Sequence, residues 1–380
     1  MIYELLHRLL EGRHYAYENP LFRGACAALL CFLLMLVFLP KVIAQLVRWK
    51  VGDRPEFDHA TLNALTQSKA DVPTMGGVGM MVCILLAVVF LADLSNFYVW
   101  MSLVCLAWLG LLGGIDDWLK LTRKRRSATR DGLKSHEKLL FQIGLGVVLG
   151  YYIYRHGQNN FALVAGAVEP AEIPAYKILG VPFYKPGLAL GAMSFMALTV
   201  LVMTGTSNAV NLTDGMDGLA SGCVALCALV FAILSYVAGT GELAQKLLFP
   251  HVPMSGELVV LCGAILGTCL GFLWYNCHPA RVFMGDAGSL PLGGLIGFVA
   301  VVIRQELMLL IAGGIFVLEA LSVISQVGYF KWTGGGRLFR CAPIHHHFHL
   351  TGWSEPQTVI RFWLLAAMFA AFALATIKLR

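Results

Sequence analysis

The stretch FYVWMSLVCLAWLGLLGGIDDWLK, residues 97–120, decides the class of this chain. From Phe97 to Ile115 it carries no charge, and its length approaches the roughly 20 residues an α-helix needs to cross a bilayer. Asp116 and Asp117 then stand together at its end, followed by Lys120. Ionisable groups at membrane depth are costly and usually functional, so the stretch reads as a span that ends in chemistry. The rest of the chain has the same apolar character. Of its 380 residues, 58% are hydrophobic and only 13% charged, whereas soluble domains carry about 45–50% and about 25%. With a mean hydropathy of +0.72, the composition excludes a soluble enzyme, a disordered chain and a collagen-like chain. An all-α, polytopic integral membrane protein remains, because membrane strands would show short alternating segments.

Long apolar runs place about ten transmembrane helices near 24–47, 76–95, 97–115, 139–155, 187–205, 217–238, 256–275, 288–303, 307–330 and 358–378. Residues 1–380 form one transmembrane domain with no separable soluble part, and the first run, without a cleavage site, reads as a retained span. Lys and Arg favour the cytoplasmic side. They concentrate on the odd-numbered connections, as Arg48, Lys50, Arg54 and Lys69, then Lys120, Arg123–Arg126, Arg130, Lys134 and Lys138, then Arg281, Lys331, Arg337 and Arg340. Those connections are therefore expected in the cytoplasm and both termini outside, on the periplasmic side. The net charge of +6 serves orientation and anionic lipid or substrate, not nucleic acid. Most cysteines lie inside apolar runs without a C-x-x-C pair, so neither a disulfide framework nor a zinc knuckle is implied.

Five polar clusters fall on odd connections and would meet at one membrane face. Lys69 precedes Pro73-Thr74-Met75-Gly76-Gly77, which reads as a turn before a helix or as a phosphate grip at a helix start. Asp116 and Asp117 close their span where acids oppose the helix dipole, and adjacent residues point apart on a helix, so the two carboxylates are expected to have separate roles. Asn211, Asp214 and Asp217 can share one face if their segment is helical, and their connection offers no Lys or Arg. Asn276 leads to Arg281 and then Asp286, which lies between Gly285 and Ala287-Gly288. A carboxylate there suits Mg²⁺, which takes one or two carboxylates beside substrate phosphates. His345, His346 and His347 lie near Arg337 and Arg340 and suit phosphate or sugar recognition better than zinc. Carboxylates, cations and hard-metal ligands at the face of an apolar bundle are a toolkit for phosphoryl chemistry. The bundle implies that one substrate is a lipid.

In order, PTMGG (73–77), GGIDDWLK (113–120), NLTDGMDGLA (211–220), NCHPARVFMGDAGSL (276–290) and APIHHHFHLTGW (342–353) cover most of the chain's length. Together they resemble the polyprenyl-phosphate N-acetylhexosamine-1-phosphate transferases, in their muramoyl branch. The resemblance implies an enzyme of the bacterial cytoplasmic (inner) membrane that passes phospho-MurNAc-pentapeptide from UDP-MurNAc-pentapeptide to undecaprenyl phosphate. The products would be lipid I and UMP, with Mg²⁺ as cofactor and a homodimer as a family-level expectation. By the same resemblance Asp286 is the Mg²⁺ ligand, and Asp116 is the base or the covalent nucleophile, with Asp117 beside it. Lys69, Asn211, Asp214, Asp217, Asn276 and Gln326 line the uridine-diphosphate cleft, with Thr74 also binding substrate. His345 is catalytic, and His346 and His347 bind substrate, as do Lys120 and Lys138 in the cytoplasmic connection. Departures are the basic run Arg123–Arg126, the segment Gly334-Gly335-Gly336-Arg337 without a neighbouring Lys, and His349 where the family often has Glu. A sister transferase using UDP-GlcNAc is the nearer alternative, against which the His motif argues. A transporter is the farther one, but its polar groups would lie near the midplane, often in repeated halves. The topology is directly testable. Ser127→Cys, in a background with Cys277 and Cys341 replaced by Ser, should react with a membrane-impermeant maleimide only from the cytoplasmic side. Labelling of intact cells from outside would reverse the orientation.

Overall fold

A computed structural model describes residues 1–9, 16–49, 69, 72–127, 132–157, 161–163 and 172–377. Lys50, Arg54 and Arg130, used above for orientation, lie outside the described residues. In chain order the helices are α1 (Ile2–Leu9), α2 (Pro20–Arg48), α3 (Gly77–Leu91), α4 (Phe97–Ser127), α5 (Ser135–Gly157), α6 (Ala192–Thr213), α7 (Leu219–Gly239), α8 (Gly241–Lys246), α9 (Leu258–Asn276), α10 (Asp286–Val302), α11 (Glu306–Ala312), α12 (Gly314–Thr333), α13 (Ile344–Leu350) and α14 (Glu355–Thr376). Between α5 and α6 lie two antiparallel pairs: β1 (Phe161–Leu163) with β2 (Glu172–Pro174), and β3 (Ile178–Val181) with β4 (Tyr184–Ala189). Among the described residues seven helices are long and apolar enough to cross a membrane, and α3 and α10 are shorter apolar helices. The fold is all-α and polytopic.

The core follows from one segment. Residues 286–302, DAGSLPLGGLIGFVAVV, carry a charge only at their first position. A helix that is apolar all round belongs in the interior, and every residue of α10 is buried. Its small residues let neighbours close on it, as in other membrane helix contacts. A Cβ on Gly293 would come within 2.4 Å of the Thr206 carbonyl of α6, and one on Gly288 within 2.8 Å of the Gly77 Cα of α3. From α4, Gly113 packs so closely that an added Cβ would lie 2.1 Å from the Asp286 carbonyl. Around this axis α7 and α9 are mostly buried, whereas α2, α12 and α14 bury only 22–28% of their most apolar windows and turn the rest outward.

Several boundaries differ from the sequence expectation, each for a local reason. The span expected to end at Ile115 continues to Ser127, so Asp116 and Asp117 sit within α4 and not at its terminus; the opposition to the helix dipole does not arise. The span expected at 187–205 begins at Ala192, because Pro186 and Gly187, poor helix residues, lie in β4. It runs on to Thr213 and carries Asn211 in its last turn. Asp214 to Gly218 then form a turn with Gly218 at φ 81°, so Asn211, Asp214 and Asp217 do not share a helical face. The span expected at 307–330 is broken at Gly313 into α11 and α12.

Gly113 and Gly114 give a paired test of the close crossing. Gly114 has open space where a Cβ would be added. Gly113→Ala should destabilise the protein by about 1–3 kcal/mol through overpacking. Gly114→Ala should be neutral or stabilising by up to about 1 kcal/mol, since alanine is the better helix former. Melting in detergent, read for both variants, checks the pair; equal melting temperatures would contradict the crossing.

Candidate active site

Two backbone segments meet first. Gly76 and Gly77 donate N–H bonds to the Phe283 and Met284 carbonyls, both at 2.9 Å, and Phe283 N–H donates to Pro73 at 2.8 Å. PTMGG is thus clamped along VFMG, with Met75 in the left-handed region at φ 72°. Gly285 follows at φ 74°, where an added Cβ would also strike the Asp117 carboxylate at 2.5 Å and Thr74 Oγ1 at 3.1 Å. The glycines that suggested a phosphate grip therefore let the chain close beneath Asp286.

Three carboxylates converge there. Asp116, Asp117 and Asp286 are all buried, and one oxygen from each falls within 4.8 Å of the others. Lys138 Nζ bridges Asp116 Oδ2 and Asp286 Oδ2, each at 2.7 Å. Lys120 Nζ lies 2.7 Å from Asp116 Oδ2 and 3.3 Å from Asp286 Oδ2. Breaking a buried ion pair costs about 3–5 kcal/mol because the remaining charge is stranded, so the two lysines account for how the acids are tolerated. The adjacent Asp residues differ in their partners. Asp116 Oδ1 accepts the Leu133 N–H at 2.7 Å, while its other oxygen holds both lysines. Asp117 accepts the N–H groups of Asp286 at 3.2 Å and Ala287 at 3.0 Å. It caps α10 from a neighbouring helix by accepting two of its first N–H groups. Asn211 donates to Asp286 Oδ1 at 2.8 Å and to Ser289 Oγ at 2.9 Å. Behind it, Asn208 donates to Gln142 at 2.7 Å, Gln142 to Ser207 at 3.0 Å, and Ser207 to the Leu290 carbonyl at 3.0 Å. That chain fastens α5, α6 and α10 together.

The second concentration of charge surrounds Lys69. Its ammonium contacts Asp217 Oδ1 at 2.6 Å and the Glu355 carboxylate. Asp217 Oδ2 faces His278 Nδ1 at 3.0 Å and accepts from Ala280 N–H at 3.1 Å. With no Lys or Arg in its own connection, Asp217 draws its partners from distant segments. Asp214 lies between the two concentrations, and burial, then Asp286 and Asp117, push its carboxyl up to about 7. Asn276 is buried, accepting from Gly218 N–H at 3.0 Å and donating to the Val282 carbonyl at 2.8 Å; it ties the two turns together.

The histidines divide. His345 is fully buried under the acidic turn, with Nδ1 3.1 Å from Glu319 and Nε2 2.4 Å from where a Gly215 Cβ would stand. It supports the turn from below and does not line an open surface. His346 packs against it, ring centroids 4.1 Å apart. Burial, then His345, His349 and Lys69, push the His346 imidazole down to about 2, so it is neutral. His347 Nδ1 accepts the Arg340 N–H at 3.2 Å. Gln326 accepts from Leu338 N–H at 3.1 Å and Phe339 N–H at 2.8 Å, shaping the segment before the His motif. Sequence reasoning missed Glu355, His278, Glu319, Gln142 and Ser289. Each is a single polar residue, and Glu355 reads as an ordinary acid in a helix's first turn.

Hard oxygen ligands suit a divalent cation such as Mg²⁺, and the Asp116–Asp117–Asp286 group fits one. Among the described residues a second three-ligand group is Asp217, His278 and Glu355. It includes an imidazole and is less buried than the all-carboxylate group, so it fits a hard cation less well.

The sequence profile of glycosyl transferase family 4 matches residues 99–304. Full-length relatives named phospho-N-acetylmuramoyl-pentapeptide-transferase include those of Solidesulfovibrio magneticus at 45% identity over 388 residues, Nitratidesulfovibrio vulgaris at 43% over 385 and Thermodesulfovibrio yellowstonii at 40% over 383. In each case the whole of this chain and the whole of the relative are covered.

The cap supplied by Asp117 predicts a stability effect. Asp117→Asn keeps one acceptor oxygen but loses the other, leaving one N–H of α10 without its acceptor, and should cost about 1–3 kcal/mol, seen as a lower melting temperature in detergent together with reduced turnover. An unchanged melting temperature would contradict the capping role.

Proposed function

The chain belongs to the phospho-N-acetylmuramoyl-pentapeptide-transferase family, and from that membership we propose the chemistry its residues perform. Phospho-MurNAc-pentapeptide passes from UDP-MurNAc-pentapeptide to undecaprenyl phosphate, giving lipid I and UMP. The enzyme works in the bacterial cytoplasmic membrane with this site facing the cytoplasm, where its nucleotide-linked donor is found. The observation that carries the mechanistic reading is the bridge of Lys138 between Asp116 and Asp286, with Lys120 beside it.

Asp286 is the residue that would hold Mg²⁺, with the Asp116 and Asp117 carboxylates adding negative charge beside it. Bound there, the ion supplies positive charge for the pyrophosphate and for the UMP leaving group. Lys120 and Lys138 bring two further cations to the place where negative charge develops, which is the largest catalytic lever for such a transfer. Asn211 fixes the Asp286 carboxylate through Oδ1 and leaves Oδ2 facing the lysines. The phosphate of the lipid attacks the β-phosphorus in line with departing UMP. A phosphate monoester has its second pKa near about 6, so the attacking oxygen is already ionised at neutral pH. A strong base is therefore unnecessary. Both Asp116 oxygens are engaged, one by Leu133 N–H and one by the two lysines. This supports a role for Asp116 in orienting lysines and direct attack by the lipid phosphate, in place of proton abstraction or a covalent aspartyl intermediate. Lys69, Asp217 and the neutral His346 complete the donor side of the site.

The test is UMP release from UDP-MurNAc-pentapeptide by purified protein, with and without undecaprenyl phosphate and with Mg²⁺ or a chelator. UMP should form only with both substrates and Mg²⁺, and UDP-GlcNAc should not replace the donor. Asp286→Asn should lower turnover at least about a hundredfold while its melting in detergent stays cooperative. Wild-type rates in this variant would contradict the assignment, and UMP release without the lipid would restore the covalent route.

A further inference from the structure

The Lys69 ammonium draws together three segments far apart in sequence, and Glu355 is the member no motif marks. Glu355 Oε1 contacts Lys69 Nζ and also accepts the Asp217 main-chain N–H at 2.8 Å. Asp217 returns the contact with its own carboxylate on Lys69. One glutamate oxygen thus fixes both a cation and the backbone of the acidic turn. The three side chains are largely out of water, at 12% exposure for Lys69, 2% for Asp217 and 11% for Glu355. In such surroundings a charge-assisted contact is strong and its geometry well defined.

Glu355 is itself held. It opens α14 behind a reciprocal cap in which Ser354 N–H donates to Gln357 at 3.1 Å and Gln357 N–H to Ser354 Oγ. An acid in a helix's first turn is also favoured by the dipole. Two turns further along α14, Trp363 Nε1 donates to the Gly218 carbonyl at 3.2 Å. The last helix therefore grips the turn 214–218 at two points, one from Glu355 to Asp217 and one from Trp363 to Gly218. His278 stands at the edge of the cluster, 3.0 Å from Asp217 and 3.7 Å from Glu355.

We propose that Glu355 is a positioning residue for the donor nucleotide: it sets the Lys69 ammonium and the Asp217 turn in the places from which they bind UDP-MurNAc-pentapeptide. The inference rests on the reading of Lys69 and Asp217 as donor-binding residues. It distinguishes Glu355 from the Asp286 cluster, because Glu355 acts on binding and not on the phosphoryl step.

The test is a KM-against-kcat comparison in the UMP-release assay. Glu355→Gln keeps an acceptor oxygen for the Asp217 N–H and removes the charge that holds Lys69. It should raise the donor KM about tenfold, with kcat and the KM for undecaprenyl phosphate within about twofold of wild type. Glu355→Asp should recover part of the loss. Lys69→Met should raise the donor KM by itself, and adding Glu355→Gln to it should raise it no further, because the two act as one unit. If Glu355→Gln leaves the donor KM unchanged while Lys69→Met raises it, the proposal is overturned and the donor-binding reading of Lys69 survives. If Lys69→Met leaves the donor KM unchanged, that underlying reading fails. A fall confined to kcat would also overturn the proposal. Should Glu355→Gln lose cooperative melting in detergent, Glu355→Asp carries the same comparison.

Discussion

Charge taken out of water at the end of an apolar bundle must find a partner, and most of the site's geometry follows from that constraint. Asp116, Asp117 and Asp286 are buried together, a grouping that would repel itself without Lys120, Lys138 and the backbone N–H groups of α10. Each compensating group comes from a different place. Lys120 is on the helix of Asp116, Lys138 opens α5, and the N–H groups belong to the all-buried α10. Pairing the acids therefore fixes three helices against one another. Under the proposed function, the cluster that joins this end of the bundle also receives the pyrophosphate and its metal.

The residues at the site take two kinds of work. Asp117, Asn276 and His345 use their polar atoms or their bulk on neighbouring protein, and they hold turns in place. Asp286, Lys120, Lys138 and Lys69 form ion pairs, and under the proposed function their members exchange a protein partner for substrate. The glycines add a third contribution. At Gly77, Gly113 and Gly288 a side chain would collide with backbone, so the approach of α3 and α4 to α10 depends on its absence. Relatives match the chain from end to end.

Much of this was legible in the sequence, for identifiable reasons. Apolar runs gave the class and the approximate spans, because length and hydropathy are properties of each segment alone. The convergence of five motifs on one face followed from counting spans. What could not be read was anything set by distant pairing. Asp217 looked partnerless because Lys69 lies 148 residues away. Asp116 and Asp117 looked terminal because Trp118, Leu119 and Leu121 continue the helix beyond the apolar run. Glu355 looked like a routine first-turn acid, since nothing local shows the lysine it faces. The hairpin before α6 was hidden in a run whose hydropathy resembles that of a span.

The buried acid cluster can be probed without turnover by electron paramagnetic resonance of Mn²⁺, a common stand-in for Mg²⁺ at oxygen sites, titrated into purified protein in detergent. Wild type should bind about one equivalent, displaced by excess Mg²⁺, and Asp286→Asn should lose that bound population while remaining folded. Undiminished Mn²⁺ binding in the Asp286→Asn protein would contradict the assignment of this cluster as the metal-binding heart of the site.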